Sequence, residues 1–240
     1  MKKSCLLLFC FGAAFNISAA ENTTIELIVL KDTVDRAILK FEHTERELWS
    51  YKISRYENEE GDITSSIEQY SPQANQPWLL KQINGQQPTE KQIEDFAINK
   101  NKQEQEGNIQ LKLRKLIDLE SLSLVSTDDE NIVMGFNVYL KKLGEDAVGK
   151  LQGELTYQKE AEFIEKISIW NSAEFSPMFT ANITDLAITF TFTNIDGAVL
   201  TKQTEMKMKG SFAYFTEINE TSQDVFSDHQ YQGKTVNSTQ

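Results

Sequence analysis

Few residues in this chain are of types that do chemistry, and their spacing argues against most of it. The two histidines, His43 and His229, stand far apart, and neither lies in an H-E-x-x-H frame, so the helix-borne zinc site of a metalloprotease has no ligands here. A Ser-His-Asp relay would need one of them as its base, and both fall at the edges of predicted elements near the chain ends. Gly233-Lys234-Thr235 resembles the end of a phosphate-binding loop, but Asp228 occupies the position where the earlier glycine is required. The chain contains neither G-x-G-x-x-G nor G-x-S-x-G. The acidic turns Glu57–Asp62 and Asp128–Glu130 carry the oxygen donors calcium takes, without the alternating ligand order of a calcium loop, and read as solvated hairpin tips. Carboxylates are abundant enough for a glycosidase pair, yet no pattern brings two together. The expectation is a protein that is not an enzyme, with no catalytic residues, no metal and no cofactor.

What remains is oily and periodic. Leu186, Ile188, Phe190 and Phe192 alternate with Ala187, Thr189, Thr191 and Thr193, a period of two that predicts a strand with one buried face. Asp196-Gly197 supplies a hairpin turn, and a partner strand follows through Leu200, Thr204, Met206 and Met208. Phe163, Ile167 and Ile169 alternate upstream, before Trp170 and a break at Phe175-Ser176-Pro177. After Gly210, Phe212 and Tyr214 predict a further strand, and Val225-Phe226 closes the sheet. The stretch 165–215 is thus an antiparallel meander with one apolar face.

The N-terminal half is built of shorter pieces. Thr23 to Glu42 carries Leu27, Leu30, Val34, Ala37, Ile38 and Phe41 at steps of three and four, which predicts an amphipathic helix with Thr23 and Glu26 at capping-box spacing. Trp49, Tyr51 and Ile53 alternate as a strand, 63–70 returns as a second, and Trp78 to Ile83 makes a third. Pro88-Thr89 opens a second helix, with Thr89 and Gln92 again at capping-box spacing. Its only apolar stripe is Ile93, Phe96 and Ala97, enough to press one turn onto an oily surface while the far end stays solvated. Leu111 to Leu122 reads as a short helical turn leading into a strand, and Ile132, Met134, Phe136, Val138 and Leu140 alternate as another. Nine to eleven hairpin-linked strands with two helices predict an α+β domain: one large curved antiparallel sheet, a half-open β-barrel, with an N-terminal helix and one inserted helix.

The beginning of the chain carries an address. Lys2-Lys3, an apolar run from Cys5 to Phe15 and the small residues Ser18-Ala19-Ala20 have the layout of a secretory signal peptide, predicting cleavage after Ala20 and a periplasmic protein. The run is shorter than the ~20 residues of a membrane span, so stable membrane insertion is not expected. Both cysteines, Cys5 and Cys10, lie in the removed segment, which leaves no thiol chemistry. The expected organisation is a leader over 1–20, a single domain over 21–232 and a disordered tail over 233–240. The whole chain has 24 basic and 36 acidic residues, a net charge of −12; without Lys2 and Lys3 the balance is 22 to 36, or −14. Such a surface repels nucleic acid, which is not expected as a partner.

The aromatic residues carry the remaining functional reading. A curved sheet can enclose more oily surface than its helices fill, leaving a groove for an acyl chain or hydrophobic peptide. The candidate groove residues are Trp49, Tyr51, Trp78, Phe136, Phe190 and Phe192, with Ile93 and Phe96 on a mobile lid; the competing reading is that all of them are core. The export layout, N-terminal helix and interrupted sheet resemble the periplasmic outer-membrane lipoprotein carrier class, which comprises the carrier, its outer-membrane receptor and a sigma-factor regulatory sensor. The strings Tyr70-Ser71-Pro72, Trp78-Leu79-Leu80, Asn84-Gly85, Pro88-Thr89, Phe175-Ser176-Pro177, Gly210-Ser211-Phe212 and Phe226-Ser227-Asp228 are similar to an uncharacterised proteobacterial group. The resemblance implies a half-barrel that holds a lipid, a lipoprotein acyl chain or a hydrophobic peptide. The alternative is an envelope interaction protein with a fully packed barrel, whose partner is another envelope protein.

Overall fold

In the computed structural model, which describes residues 17–105, 111–140, 143–213 and 216–233, one open antiparallel sheet dominates. Its strands are β1 (Trp49–Glu59), β2 (Asp62–Tyr70), β3 (Trp78–Ile83), β4 (Ser123–Thr127), β5 (Asn131–Asn137), β6 (Leu151–Gln158), β7 (Phe163–Asn171), β8 (Phe175–Met178), β9 (Ala181–Ile195), β10 (Ala198–Phe212) and β11 (Thr216–Tyr231). The spatial order is β3-β2-β1-β11-β10-β9-β7-β6-β5-β4, with β8 hydrogen-bonded to β9 beside β7. The helices are α1 (Ile17–Glu42), α2 (Glu90–Gln105) and the single turn α3 (Leu113–Leu116). The fold is therefore α+β with a curved, unclosed sheet, as the alternation predicts. The leader expected over 1–20 falls mostly on residues 1–16, outside the described residues, and the tail expected over 233–240 lies outside them from 234 on. No helix among the described residues is long and apolar enough to cross a membrane.

Directly opposed residues of antiparallel strands share a face, so the register identifies the inner one. Leu186, Ile188 and Phe190 of β9 stand opposite Met208, Met206 and Thr204 of β10, and Ile167 and Ile169 of β7 join them from the other side. Against this face α1 buries Leu30, Val34, Ala37, Ile38 and Phe41, a stripe at helical spacing. Phe41 meets Phe192 edge to face, with ring centroids 5.1 Å apart. The end of α1 is tied down by Thr44, whose hydroxyl accepts from the Val199 amide of β10 and donates to the Lys40 carbonyl.

Four local readings need correction. The helix α1 is already formed at Ile17, so Thr23 lies within it rather than at its first turn. The 175–177 segment is not a break but part of β8, which bonds to β9 at Phe175 and Ile183. Gly210 does not end a strand: β10 runs through it to Phe212, because a Cβ there would lie 2.1 Å from the Asn182 carbonyl oxygen of β9. Finally β11 is a sixteen-residue strand rather than a short closure at Val225-Phe226.

The first and last strands pair in the middle of the sheet, from Trp49 opposite Tyr231 to Glu59 opposite Glu220. The N-terminal meander β1-β2-β3 and the meander from β4 to β11 meet along this seam. The connection from β3 to β4 links the two edges of the open sheet, and α2 and α3 lie on it. It crosses the inner face: Leu113 and Leu116 of α3 pack into the core with α1.

Ile38 is fully buried under this arrangement, whereas Ile28 on the same helix is exposed. Ile38→Ala is expected to cost about 2–5 kcal/mol in urea unfolding, through lost burial and the cavity left behind. Ile28→Ala should change the midpoint by no more than about 0.5 kcal/mol.

Candidate functional site

Beyond the reach of α1, the inner face changes character. Over β10, β11, β1, β2 and β3 the inward positions are Thr204, Asp224 and Phe226, Tyr51, Ile53 and Arg55, Glu68 and Tyr70, and Trp78, which share one face through their cross-strand register. Tyr51 is the hub of the aromatic part. Its ring centroid lies 5.1 Å from Tyr70, 5.7 Å from Phe226, 6.0 Å from His229 and 6.1 Å from Trp78, and Tyr70 and Trp78 are 4.9 Å apart. Burial, with Tyr70 and Glu68 adding to it, pushes the Tyr51 phenol far above its usual range, so it stays neutral. Burial likewise lowers the His229 imidazole, favouring its uncharged form at neutral pH.

Two bulges shape this region. Between Ser50–Gln230 and Lys52–Ser227 the β11 strand has one residue more than β1, and Asp228 adopts a left-handed backbone with φ 57°. The extra residue turns His229 onto the Tyr51 side. Opposite Phe192 and Thr191, β10 carries an extra residue between Thr201 and Gln203. Thr201 and Thr204 therefore both border the same space.

That space is a cavity of about 630 Å³ between the aromatic wall and the end of α1. Its interior is lined by Trp49, Tyr51, Tyr70, Trp78, Phe190, Leu200, Phe226 and the ring of Phe41; Arg46, Lys112, Arg114 and Lys115 contribute cations. Arg46 stacks 3.6 Å over the Phe41 ring and donates to the Phe41 carbonyl. Burial draws its guanidinium down to about 10, against the pull of Glu47, and it remains charged at pH 7. Arg114 is held by Asp35 at 2.5 Å and Glu42 at 3.6 Å.

Next to the cavity lies a charged cluster that the sequence pattern did not reveal. Glu68 is 4% exposed and receives Lys100 of α2 at 2.7 Å and Arg55 at 3.3 Å. Arg55 also reaches Asp224 at 3.2 Å and Glu57 at 3.6 Å. Lys100 Nζ sits 4.1 Å over the Trp78 ring and 5.2 Å from the Phe96 ring. Burial raises the Asp224 carboxyl above its ordinary value, opposed by Arg55 and reinforced by Glu68 and Glu57.

The expected groove residues separate into two groups. Trp49, Tyr51, Trp78 and Phe190 come together around the cavity. Phe136 and Phe192 do not line it; both are in the packed core, Phe136 against Gly153 and Phe192 against Phe41. On α2, Ile93 is 47% exposed and does not press onto the sheet, while Phe96 is half-buried beside Lys100. The capping box that opens α2 is present, with Thr89 and Gln92 exchanging hydrogen bonds. Missed by sequence reasoning were Tyr70, Phe226, Arg46 and Lys100; period-two pairing across β1 from Tyr51 would have found the first two. No group of three or more histidine, cysteine or acidic side chains among the described residues could hold a metal.

No protein-family model matches this chain, and no curated protein does. Neither comparison thus connects it with the lipoprotein carrier class that the sequence resembles. Among solved structures, a DUF1329 family protein from Desulfovibrio piger is similar over 85% of this chain and 92% of its own, at 8% identity and a TM-score of 0.34.

Lys100→Met keeps the apolar stem and removes the charge that docks α2. Amide exchange over α2 should accelerate while β9 and β10 stay protected, and unfolding should lose about 1.5–3 kcal/mol. Asp224 has a folded pKa above its unfolded value of 3.8, so its contribution is fully present below that pH and lost as pH rises through the folded value. Asp224→Asn should therefore flatten the fall in denaturation midpoint above pH 3.8, leaving the variant at least as stable as the parent at pH 7.

Proposed function

We propose that this protein is a non-enzymatic binding protein of the periplasm whose half-barrel takes a lipid, an acyl chain or another hydrophobic guest. The observation that carries this reading is the cavity beside Tyr51. Its volume falls within the roughly 300–1,000 Å³ of small-molecule sites, and an aromatic and aliphatic wall faces a wall of charged and polar groups. A sheet whose inner face were meant only to fold would bring a helix down onto Tyr51, Tyr70, Trp78 and Phe226. Here α2 docks at the margin, through Lys100 and Phe96, and leaves the space between them and α1 open. A lipoprotein, or its acyl chain, is one guest of the right chemistry.

A second reading is an envelope protein that binds another protein. It is favoured by Phe179, 90% exposed in the turn between β8 and β9, with Met178 and Phe212 exposed beside it.

The two readings are separated with N-phenyl-1-naphthylamine, an uncharged fluorescent probe. Binding is expected with a blue shift of the probe and a change in tryptophan emission from Trp49 and Trp78. Thr204→Phe, which fills the cavity from β10, should weaken it at least tenfold while the unfolding midpoint is maintained. A probe that does not bind the parent would remove the cavity reading and leave the Phe179 surface as the site to pursue.

A further inference from the structure

The mouth of the cavity carries both signs, Arg46, Lys112, Arg114 and Lys115 against Glu42 and Glu47, and two of its cations are left without a carboxylate. Of its four cations, Arg114 is committed to Asp35 and Glu42, and Arg46 is stacked on Phe41 and bonded to backbone carbonyls. Lys112 and Lys115 have no ion-pair partner among the described residues. They are three apart at the start of α3, a spacing that brings side chains to one side of a helical turn, and both are exposed while lining the cavity. They therefore stand at its mouth, with the aromatic wall behind them.

In a chain of net charge −12 this placement runs against the overall field, which repels anions. Elsewhere Arg36 pairs with Asp32, Lys91 with Asp95, Lys150 with Asp146 and Lys31 with Glu120; what sets Lys112 and Lys115 apart is their place on the wall of an apolar cavity. Two ammonium groups on one side of the same turn, left without a carboxylate, favour an anion seated near both. Resting on the binding function proposed above, we infer that the guest is an amphipathic anion. Its carboxylate or phosphate head is held by Lys112 and Lys115, and its apolar body lies against Tyr51, Trp78 and Phe226. Lysine suits this role because its point charge accepts either head group without demanding a planar fork.

Three ten-carbon compounds distinguish the possibilities by displacing N-phenyl-1-naphthylamine from the full chain: decanoate, decyl phosphate and decanol. The parent should bind decanoate or decyl phosphate at least tenfold tighter than decanol, with an advantage that shrinks as salt is raised. In the double variant Lys112→Gln/Lys115→Gln that advantage should disappear; an unchanged thermal midpoint checks that the fold is retained. Which of the two anions is preferred identifies the head group as carboxylate or phosphate. Equal affinity for decanol and both anions in the parent overturns the inference and leaves the binding function standing, as does an anion advantage that survives in the double variant. Failure of the naphthylamine and of all three compounds to bind overturns both.

Discussion

An open sheet of ten strands laid side by side has an inner face too wide for the helices this chain provides. At about 4.8 Å between neighbours the strands span roughly 43 Å. The apolar stripe of α1 from Leu30 to Phe41 is about 17 Å long at 1.5 Å per residue. Curvature narrows the gap without closing it. The helix is placed over β7, β9 and β10, where Ile167, Ile169, Leu186 and Phe192 are fully apolar, and α3 extends the cover with Leu113 and Leu116. The remainder of the inner face, from β11 across to β3, has to be made safe in another way.

Two devices serve that end. Aromatic side chains with polar edges, Tyr51, Tyr70 and Trp78, tolerate partial contact with water where leucine or phenylalanine alone would be costly. Beside them Arg55, Glu68, Asp224 and Lys100 form an ion-pair cluster that is poor as a source of net stability, because desolvating the charges offsets much of their attraction. What such a cluster does well is fix geometry. Lys100 can satisfy Glu68 and lie over Trp78 only when α2 sits in one place, so with Phe96 beside it this side chain specifies the position of a mostly polar helix.

The division of the inner face also explains what could be read from the sequence. Where the face is apolar, alternation is visible, and β6, β7, β9 and most of β10 follow from residues such as Leu151, Leu155, Ile167 and Phe190. Where it is polar, inward and outward positions look alike. In β11 the inward residues Glu220, Ser222 and Asp224 alternate with Thr221, Gln223 and Val225, so a sixteen-residue strand shows no period of two. Gly210 misled for a related reason: glycine marks a break in a strand as readily as a close approach of two backbones. Half of the cavity was legible because Trp49, Tyr51 and Trp78 are large and rare. Its other half depends on cross-strand register and on two bulges, which no local pattern encodes. Phe136 and Phe192 illustrate the converse, since size and periodicity cannot tell a wall of a cavity from a filled core.

The seam between β1 and β11 sets how this molecule comes into being. Trp49 and Tyr231 are neighbours in space and 182 residues apart in the chain, and ten residue pairs along this one strand pairing join the two meanders. Contacts of such high sequence separation give a high contact order, for which loop-closure entropy makes folding slow. A chain synthesised from its N-terminus holds β1, β2 and β3 with an open edge at β1 until β11 has been made. Such an edge is a template for pairing with any other extended chain. The charges Lys52, Arg55 and Glu57 on β1, together with the left-handed kink at Asp228 in β11, make most wrong strands a poor fit there. The charged residues of the seam thus also disfavour wrong pairing of the growing chain.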